Sequence, residues 1–179
     1  MKTRIVTIAT GEQFTVPQGI QRLDSKSTRG WQVRYQGTKY FADGTAGPKT
    51  ALESATRELL HRIATLPAPV RIRHAPSPAK SSDLPAGISG PILVKKSGSE
   101  VRSAVLSVSV PRFGKTTQTK TIHIGTAQTY TKTRFRTALA KAIEMRSESM
   151  ALYEAAATKA KRKSVAGLKV ALREAHGGA

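Results

Sequence analysis

Two polar side chains, Gln32 and Arg34, alternate with the apolar side chains of Trp31, Val33 and Tyr35. Successive side chains of a β-strand point to opposite faces, so this spacing places the amide and the guanidinium on one face and the three apolar groups on the other. Arginine and glutamine are side chains that hydrogen-bond the base edges and phosphates of DNA. The apolar face predicts a packed core, and the polar face is either a solvated surface or a nucleic-acid contact.

The remaining reactive residue types do not form an enzyme-like pattern. The four histidines lie in separate contexts, without a second histidine or a carboxylate at metal-ligand spacing. Residues 113–116 end like a phosphate-binding loop but lack its earlier glycine. Because there is no cysteine, thiol chemistry and thiolate metal sites are excluded. The sequence therefore predicts a non-enzymatic protein without a metal or a cofactor.

The charge of the chain indicates a polyanionic partner. Its 30 lysines and arginines exceed its 11 acidic residues, for a formal net charge of +19, and residues 101–143 contain no acid at all. No apolar run approaches the roughly 20 residues of a membrane span, and the short run at residues 5–9 is too brief for a signal peptide. We therefore expect no membrane association and a cytoplasmic, nucleoid-associated protein.

Short repeats indicate that the chain contains two related halves. The segment VPQGI at residues 16–20 recurs as LPAGI at residues 84–88, and GTA at residues 44–46 recurs at residues 125–127. In each half, three predicted strands precede an amphipathic helix. The predicted fold class is α+β, with two tandem modules, each a three-stranded antiparallel sheet packed on one helix, plus a C-terminal helical tail.

Helical stripes and composition set the predicted boundaries. The first helix, at residues 50–64, carries its stripe at Leu52, Ala55, Leu59, Leu60 and Ile63, and the second carries Phe135, Ala138, Leu139, Ala142 and Ile143. The predicted domains are a first module at residues 1–64, a basic proline-rich linker at 65–83, a second module at 84–146 and a helical basic tail at 147–179. The linker is either a phosphate-tracking segment or a solvated spacer. In the tail, Gly167 is expected to separate a last short helix.

The strand GWQVRY at residues 30–35, the Gly-Thr step and the single helix of each half resemble the plant ethylene-response-factor DNA-binding domain. They are also similar to the arm-binding N-terminal domains of phage tyrosine integrases. The resemblance covers residues 19–64 and 87–146. It implies that the sheet lies in the DNA major groove and that the helix braces it from behind. By position it places Trp31, Val33, Tyr35 and Phe41 toward the helix, and Gln32 and Arg34 toward the groove.

The resulting hypothesis is a double-stranded DNA-binding protein, either a phage or bacterial transcription regulator or a DNA-architectural factor. Base contacts are expected from Gln32 and Arg34, and phosphate contacts from Arg102, Lys115 and Lys120, because the second half carries serines on its predicted polar face. The full set of candidate DNA-binding residues is Gln21, Arg22, Arg29, Gln32, Arg34, Lys39, Arg71, Arg73, Arg102, Arg112, Lys115, Lys120 and His123.

Two other hypotheses remain open at this level. Structured RNA or a ribosome would satisfy the same positive charge, because duplex RNA is recognised by its shape and phosphates. Alternatively, the chain is a phage structural or interaction factor that forms a homodimer through its C-terminal helix. That helix is too alanine-rich and too short to predict a coiled coil.

Overall fold

A computed structural model of the chain describes residues 1–95 and 101–177, which form an α+β fold with three antiparallel sheets and two helices. The strands are β1 (Thr3–Thr7), β2 (Gln13–Pro17), β3 (Ile20–Asp24), β4 (Arg29–Arg34), β5 (Thr38–Ala42), β6 (Ile88–Lys95), β7 (Arg102–Val110) and β8 (Gln118–Thr126). The helices are α1 (Gly47–Thr65) and α2 (Lys132–Gly177). The sheets have the strand orders β1-β2, β3-β4-β5 and β6-β7-β8.

The chain divides into two compact units. The first contains Met1–Pro69 together with the chain from Ala157 onward, and the second contains Val70–Ala156. The first unit therefore holds β1–β5, α1 and the last part of α2, and the second holds β6–β8 and the first part of α2. Residues 66–87, all of which the structure describes, form no helix or strand.

Helix α2 runs unbroken from Lys132 to Gly177, so it continues past residue 147 and also passes through Gly167, where a break was expected. The segment after Ala157 is not free in solution. Val165 is buried in the core of the first unit, and the Thr158 hydroxyl accepts a hydrogen bond of 3.0 Å from the Ala68 amide. A single glycine costs a helix only about 1 kcal/mol relative to alanine, so tertiary contacts are sufficient to keep this helix intact.

The three-stranded sheet of the first unit has the two faces that the alternation predicted. Trp31 lies opposite Phe41 of β5, and Val33 lies opposite Ile20 of β3. Trp31 and Val33 are completely buried, and the residues of α1 that bury against this core are Ala51, Leu52, Ala55, Leu59 and Ile63. The predicted hairpin and the predicted stripe of the first helix are both confirmed.

The β1-β2 hairpin completes the core around Trp31. The ring of Phe14 from β2 meets the indole edge-on, with 5.7 Å between the ring centroids. The indole Nε1 donates a hydrogen bond of 2.8 Å to the carbonyl of Pro48 in the first turn of α1. The indole thus contacts a neighbouring strand and also hydrogen-bonds the helix backbone.

In the second unit, the sheet packs its apolar face on the first part of α2. Leu106 and Val108 of β7 are fully buried, and Ile122 of β8 and Ala138 and Ala142 of α2 are buried beside them. The N-terminus of α2 is capped by Thr131, whose hydroxyl accepts a hydrogen bond of 3.2 Å from the Arg134 amide.

In the recurring segments VPQGI and LPAGI, the glycine makes the same hydrogen bond to the middle strand of the three-stranded sheet. The Gly19 carbonyl accepts a hydrogen bond of 2.7 Å from the Arg34 amide, and the Gly87 carbonyl accepts one of 2.8 Å from the Ser109 amide. Both glycines have positive φ, a conformation that side chains with a Cβ rarely adopt. Gly19 therefore joins the start of β3 to the end of β4, and Gly87 joins the start of β6 to the end of β7.

Gly30 has no room for a side chain. A Cβ at this position would lie 2.2 Å from the Phe41 carbonyl oxygen and 2.7 Å from the Tyr40 hydroxyl. We expect Gly30→Ala to lower the free energy of unfolding by about 1–3 kcal/mol, because the backbone of β5 would have to move. Denaturant titration measures this effect. The matched control is Gly167→Ala, which meets no atom within 4 Å in the helix and should stabilise by roughly 0.5–1 kcal/mol. Equal effects of the two changes would refute the steric explanation.

Candidate nucleic-acid interface

The face of the β3-β4-β5 sheet that points away from α1 carries the predicted polar groups. Gln32 of β4 lies directly opposite Gln21 of β3 and Tyr40 of β5, and Arg34 lies opposite Thr38. Residues in such register point to the same side of a sheet. We call Gln21, Gln32, Arg34, Thr38 and Tyr40 the open face. It combines side chains from three adjacent strands, which the sequence could not show because strand register is a tertiary property.

Two hydrogen bonds order the open face. The Arg34 Nε donates to the Gln32 Oε1 over 2.6 Å, so the guanidinium and the amide hold each other in place. The Tyr40 hydroxyl donates to the Arg29 carbonyl over 2.7 Å, and its ring lies across Gly30. Arg34 and Tyr40 are exposed, and Gln32 is half-buried. The arginine retains free N–H groups that can donate in pairs to a guanine edge or a phosphate.

Arg22, one of the candidate DNA-binding residues, does not belong to the open face. It lies opposite Trp31, its side chain is only 8% exposed, and its guanidinium stands 5.0 Å from the centre of the indole ring. Its two terminal nitrogens donate to both carboxylate oxygens of Asp43, at 2.8 and 2.7 Å. Those bonds raise the pKa of Arg22. Alternation along β3 explains the placement, because residues 20 and 22 share the core side.

Arg29 and Lys39 lie at the margins of the same core side. Arg29 is opposite Asp24, with its Nε 3.9 Å from that carboxylate, and Lys39 is opposite Val33. The Lys39 Nζ lies 3.1 Å from the Glu58 carboxylate of α1. Hydrogen bonds from Arg62 first, and then from Lys39, lower the pKa of Glu58. Arg29 and Lys39 are exposed enough to contact phosphates, but their side chains lie on the opposite side of the sheet from Gln32 and Arg34.

The carboxylate of Asp24 gives the first unit a pH-dependent contact. The Ala9 amide donates to it over 2.8 Å, and this bond, followed by Arg22, lowers the pKa of Asp24. A carboxyl whose pKa falls on folding stabilises the native state at pH values above its pKa in the unfolded chain, which is about 3.9 for aspartate. This contribution is lost as the pH drops through the lower pKa of the folded state.

We therefore expect Asp24→Asn to be less stable than the wild type at pH 6 and to approach it as the pH is lowered. The amide oxygen of asparagine still accepts the Ala9 hydrogen bond, so the change removes mainly the charge. Urea unfolding of both proteins between pH 6 and pH 2 measures the difference. A stability gap that is constant over this range would show that the carboxylate charge has no role.

The candidate residues of β7, β8 and the turn between them lie in different parts of the sheet. His123 is opposite Val105, and Thr121 is opposite Ser107, so His123 shares a face with these serine and threonine side chains. Lys120 is opposite the buried Val108 and therefore lies on the other side of the sheet. Arg102 begins β7, opposite Lys95, while Arg112 and Lys115 lie in the exposed turn before β8.

A basic groove between β8 and α2 adds two residues to this set. It has a volume of about 570 Å³ and is lined by His123, Arg134 and Lys141 together with Thr121, Thr133 and Thr137. Arg134 and Lys141 contribute to the acid-free charge of residues 101–143 but were not among the candidate site residues. Their spacing of seven places them on one face of a helix, which is the sequence signal that identifies them.

Arg71 and Arg73 lie in the irregular segment at residues 66–87, and both are exposed. The segment after Pro69 belongs to the second unit. The Arg73 carbonyl accepts a hydrogen bond from Arg146 of α2, and His74 lies 3.5 Å from the Glu154 carboxylate. The basic segment thus has specific contacts within the second unit, and its arginine side chains remain accessible.

Within residues 1–95 and 101–167, whose side chains the structure describes, no three histidine, cysteine, aspartate or glutamate side chains come together as metal ligands. In the part of the chain that the structure describes, no helix has the length and apolar character needed to cross a membrane. No protein-family model, curated protein or solved structure matches this chain.

Proposed function

We propose that this chain is a non-enzymatic protein that binds double-stranded DNA through the open face of its β3-β4-β5 sheet. The observation that carries the proposal is the division of this sheet into two chemically different sides. One side is closed by α1 and the β1-β2 hairpin around Trp31. The other side presents Gln21, Gln32, Arg34 and Tyr40 from three adjacent strands.

The dimensions of a sheet support insertion into the major groove. Neighbouring strands are about 4.8 Å apart, so three strands span about 10 Å, and the major groove is about 12 Å wide. In this arrangement, the Arg34 guanidinium donates hydrogen bonds to a guanine edge, and the Gln32 amide hydrogen-bonds an adenine edge. Alternatively, the two hydrogen-bonded side chains together contact two successive base pairs. Tyr40 and Gln21 flank them and reach sugar or phosphate oxygens.

The remaining basic residues supply phosphate contacts in this proposal. In the second unit they are Arg71, Arg73, Arg102, Arg112, Lys115, Lys120, His123, Arg134 and Lys141, and in the first they are Arg29 and Lys39. Arg22 has a structural role beneath the sheet. The two units act as tandem sheet-plus-helix modules, so that binding of one makes binding of the second intramolecular and raises the avidity. Such a protein serves as a transcription regulator or as a nucleoid-associated architectural factor.

A homodimer through α2 is not part of the proposal. Ala157 and Val165, two of the apolar residues in the later part of this helix, are buried within the chain itself. Among the described side chains of α2, the exposed large apolar ones are Ile143 and Leu152. They are nine residues apart, which places them on opposite sides of the helix, so they do not form a continuous apolar stripe for a helix pair.

Competition between DNA and RNA tests the proposal. Duplex DNA and duplex RNA of equal length should be titrated against the full chain, and the DNA titration repeated at several salt concentrations. We expect preference for DNA and a logarithmic salt slope of about −4 or steeper, because each neutralised phosphate contributes about −0.9. Stronger binding of duplex RNA would favour the RNA hypothesis and contradict the major-groove arrangement, because the major groove of RNA is too deep and narrow for side chains to read.

A further inference from the structure

A second candidate binding site lies in the second unit, around the buried arginine of α2. Arg146 is only 9% exposed and lines a groove of about 350 Å³ between α2 and the segment that precedes β6. One guanidinium nitrogen donates to the Ser109 carbonyl and another donates to the Arg73 carbonyl over 3.3 Å. Both acceptors are neutral, so the positive charge of this side chain is not balanced by its hydrogen-bond partners.

No carboxylate among the described residues lies within 4.0 Å of this guanidinium. Burial accordingly lowers the pKa of Arg146. The acid of the same groove is Glu154, which stands two helical turns away, at about 12 Å along the axis, and is contacted by His74. A buried charge without a counterion is costly to a fold, which favours an anionic ligand at this position.

The first unit shows that the fold itself does not require an arginine here. A Cβ on Gly19 would contact the Leu59 side chain of α1 at 3.2 Å, and a Cβ on the corresponding Gly87 would overlap the Arg146 guanidinium. In α1 the buried residues Ala51, Ala55 and Leu59 are four apart, and in α2 the residues Ala138, Ala142 and Arg146 have the same spacing. Arg146 therefore occupies in α2 the position that Leu59 occupies in α1. It faces a groove, whereas Leu59 faces a closed core.

The walls of this groove define its ligand. Ile88, Ile143, Met150 and Ala151 supply an apolar surface, and Ser147 supplies a hydroxyl beside the arginine. A volume of this size is near the lower end of the range for small-molecule sites, about 300–1,000 Å³. We propose that the groove binds a small organic carboxylate with an apolar body, whose carboxylate pairs with Arg146 and whose apolar part lies on Ile88, Ile143 and Met150.

The experiment compares three probes on the full chain: octanoate, octanol and acetate. Binding is followed by amide chemical-shift changes in nuclear magnetic resonance spectra. Octanoate should bind saturably with a dissociation constant at or below about 1 mM, octanol should bind at least about tenfold more weakly, and acetate should bind more weakly still. The shifts should cluster at residues 85–88 and 143–151. Equal affinity for octanol and octanoate, or no saturable binding of octanoate, would overturn the proposal.

Three variants separate the site from the fold. Arg146→Leu copies the first unit and should remain folded, with octanoate affinity reduced at least about tenfold, to that of octanol. Ala151→Phe fills the groove from an exposed helix position, keeps the arginine and should abolish the octanoate shifts. Ala140→Phe is the matched control, since Ala140 is exposed on the same helix outside the groove. Unchanged octanoate binding in Ala151→Phe, or equal losses in Ala151→Phe and Ala140→Phe, would overturn the proposal whether or not Arg146→Leu folds.

Discussion

Replacing Trp31 with alanine is expected to lower the free energy of unfolding of the first unit by about 3–5 kcal/mol. The indole is completely buried and makes three kinds of contact: the edge-on contact with Phe14, the hydrogen bond to Pro48 and the cation–π contact with Arg22. Alanine would leave a cavity at the junction of sheet, hairpin and helix. It would also remove the aromatic partner of Arg22, whose side chain is only 8% exposed.

Denaturant unfolding measures this loss, and Trp31→Phe divides it into parts. Phenylalanine retains most of the apolar volume but cannot donate to the Pro48 carbonyl, so we expect an intermediate loss of about 1–2 kcal/mol. A loss below about 1 kcal/mol for Trp31→Ala would be smaller than core truncations cost and would contradict the central position of this side chain.

The sequence predicts the elements of this fold well where local patterning decides them. Alternation in residues 30–35 identified β4 and both of its faces, and the spacing of Leu52, Ala55, Leu59 and Ile63 identified the buried side of α1. The repeated glycines at residues 19 and 87 also correspond to equivalent hydrogen bonds. Each of these features depends on a period or on a backbone conformation that is visible within a few residues.

The features that were missed depend on contacts between distant segments. Arg22 was one of the candidate DNA-binding residues, and only its register opposite Trp31 and its bonds to Asp43 show that it lies on the core side of the sheet. The continuity of α2 through Gly167 depends on burial of Val165 against residues more than a hundred positions earlier. Arg146 entered the prediction only as the last residue of the second module, and its burial depends on its contacts with Gly87 and Ser109.

The second large effect is expected at the open face. Changing Gln32 and Arg34 together to alanine should weaken binding to duplex DNA by about 100-fold or more, because each bidentate base contact contributes roughly 1–3 kcal/mol. The fold should persist, since the Arg34 side chain is exposed and its backbone bond to Gly19 does not involve the side chain. Circular dichroism and the thermal unfolding temperature check that persistence.

A matched control distinguishes a specific contact from a loss of charge. Arg57→Ala removes one positive charge from an exposed position on α1, off its buried side. This change should alter DNA affinity by only a few-fold, as expected for a charge that makes no direct contact. A loss as large as that of the double variant would mean that net charge, and not the open face, determines binding.

The most direct test is therefore one titration of duplex DNA with the wild-type chain, the Gln32→Ala/Arg34→Ala variant and the Arg57→Ala variant at the same salt concentration. We expect wild-type and Arg57→Ala affinities within a few-fold of each other and a loss of about 100-fold in the double variant. Wild-type affinity in a correctly folded double variant would contradict the proposal that the open face of the first sheet is the DNA-binding surface.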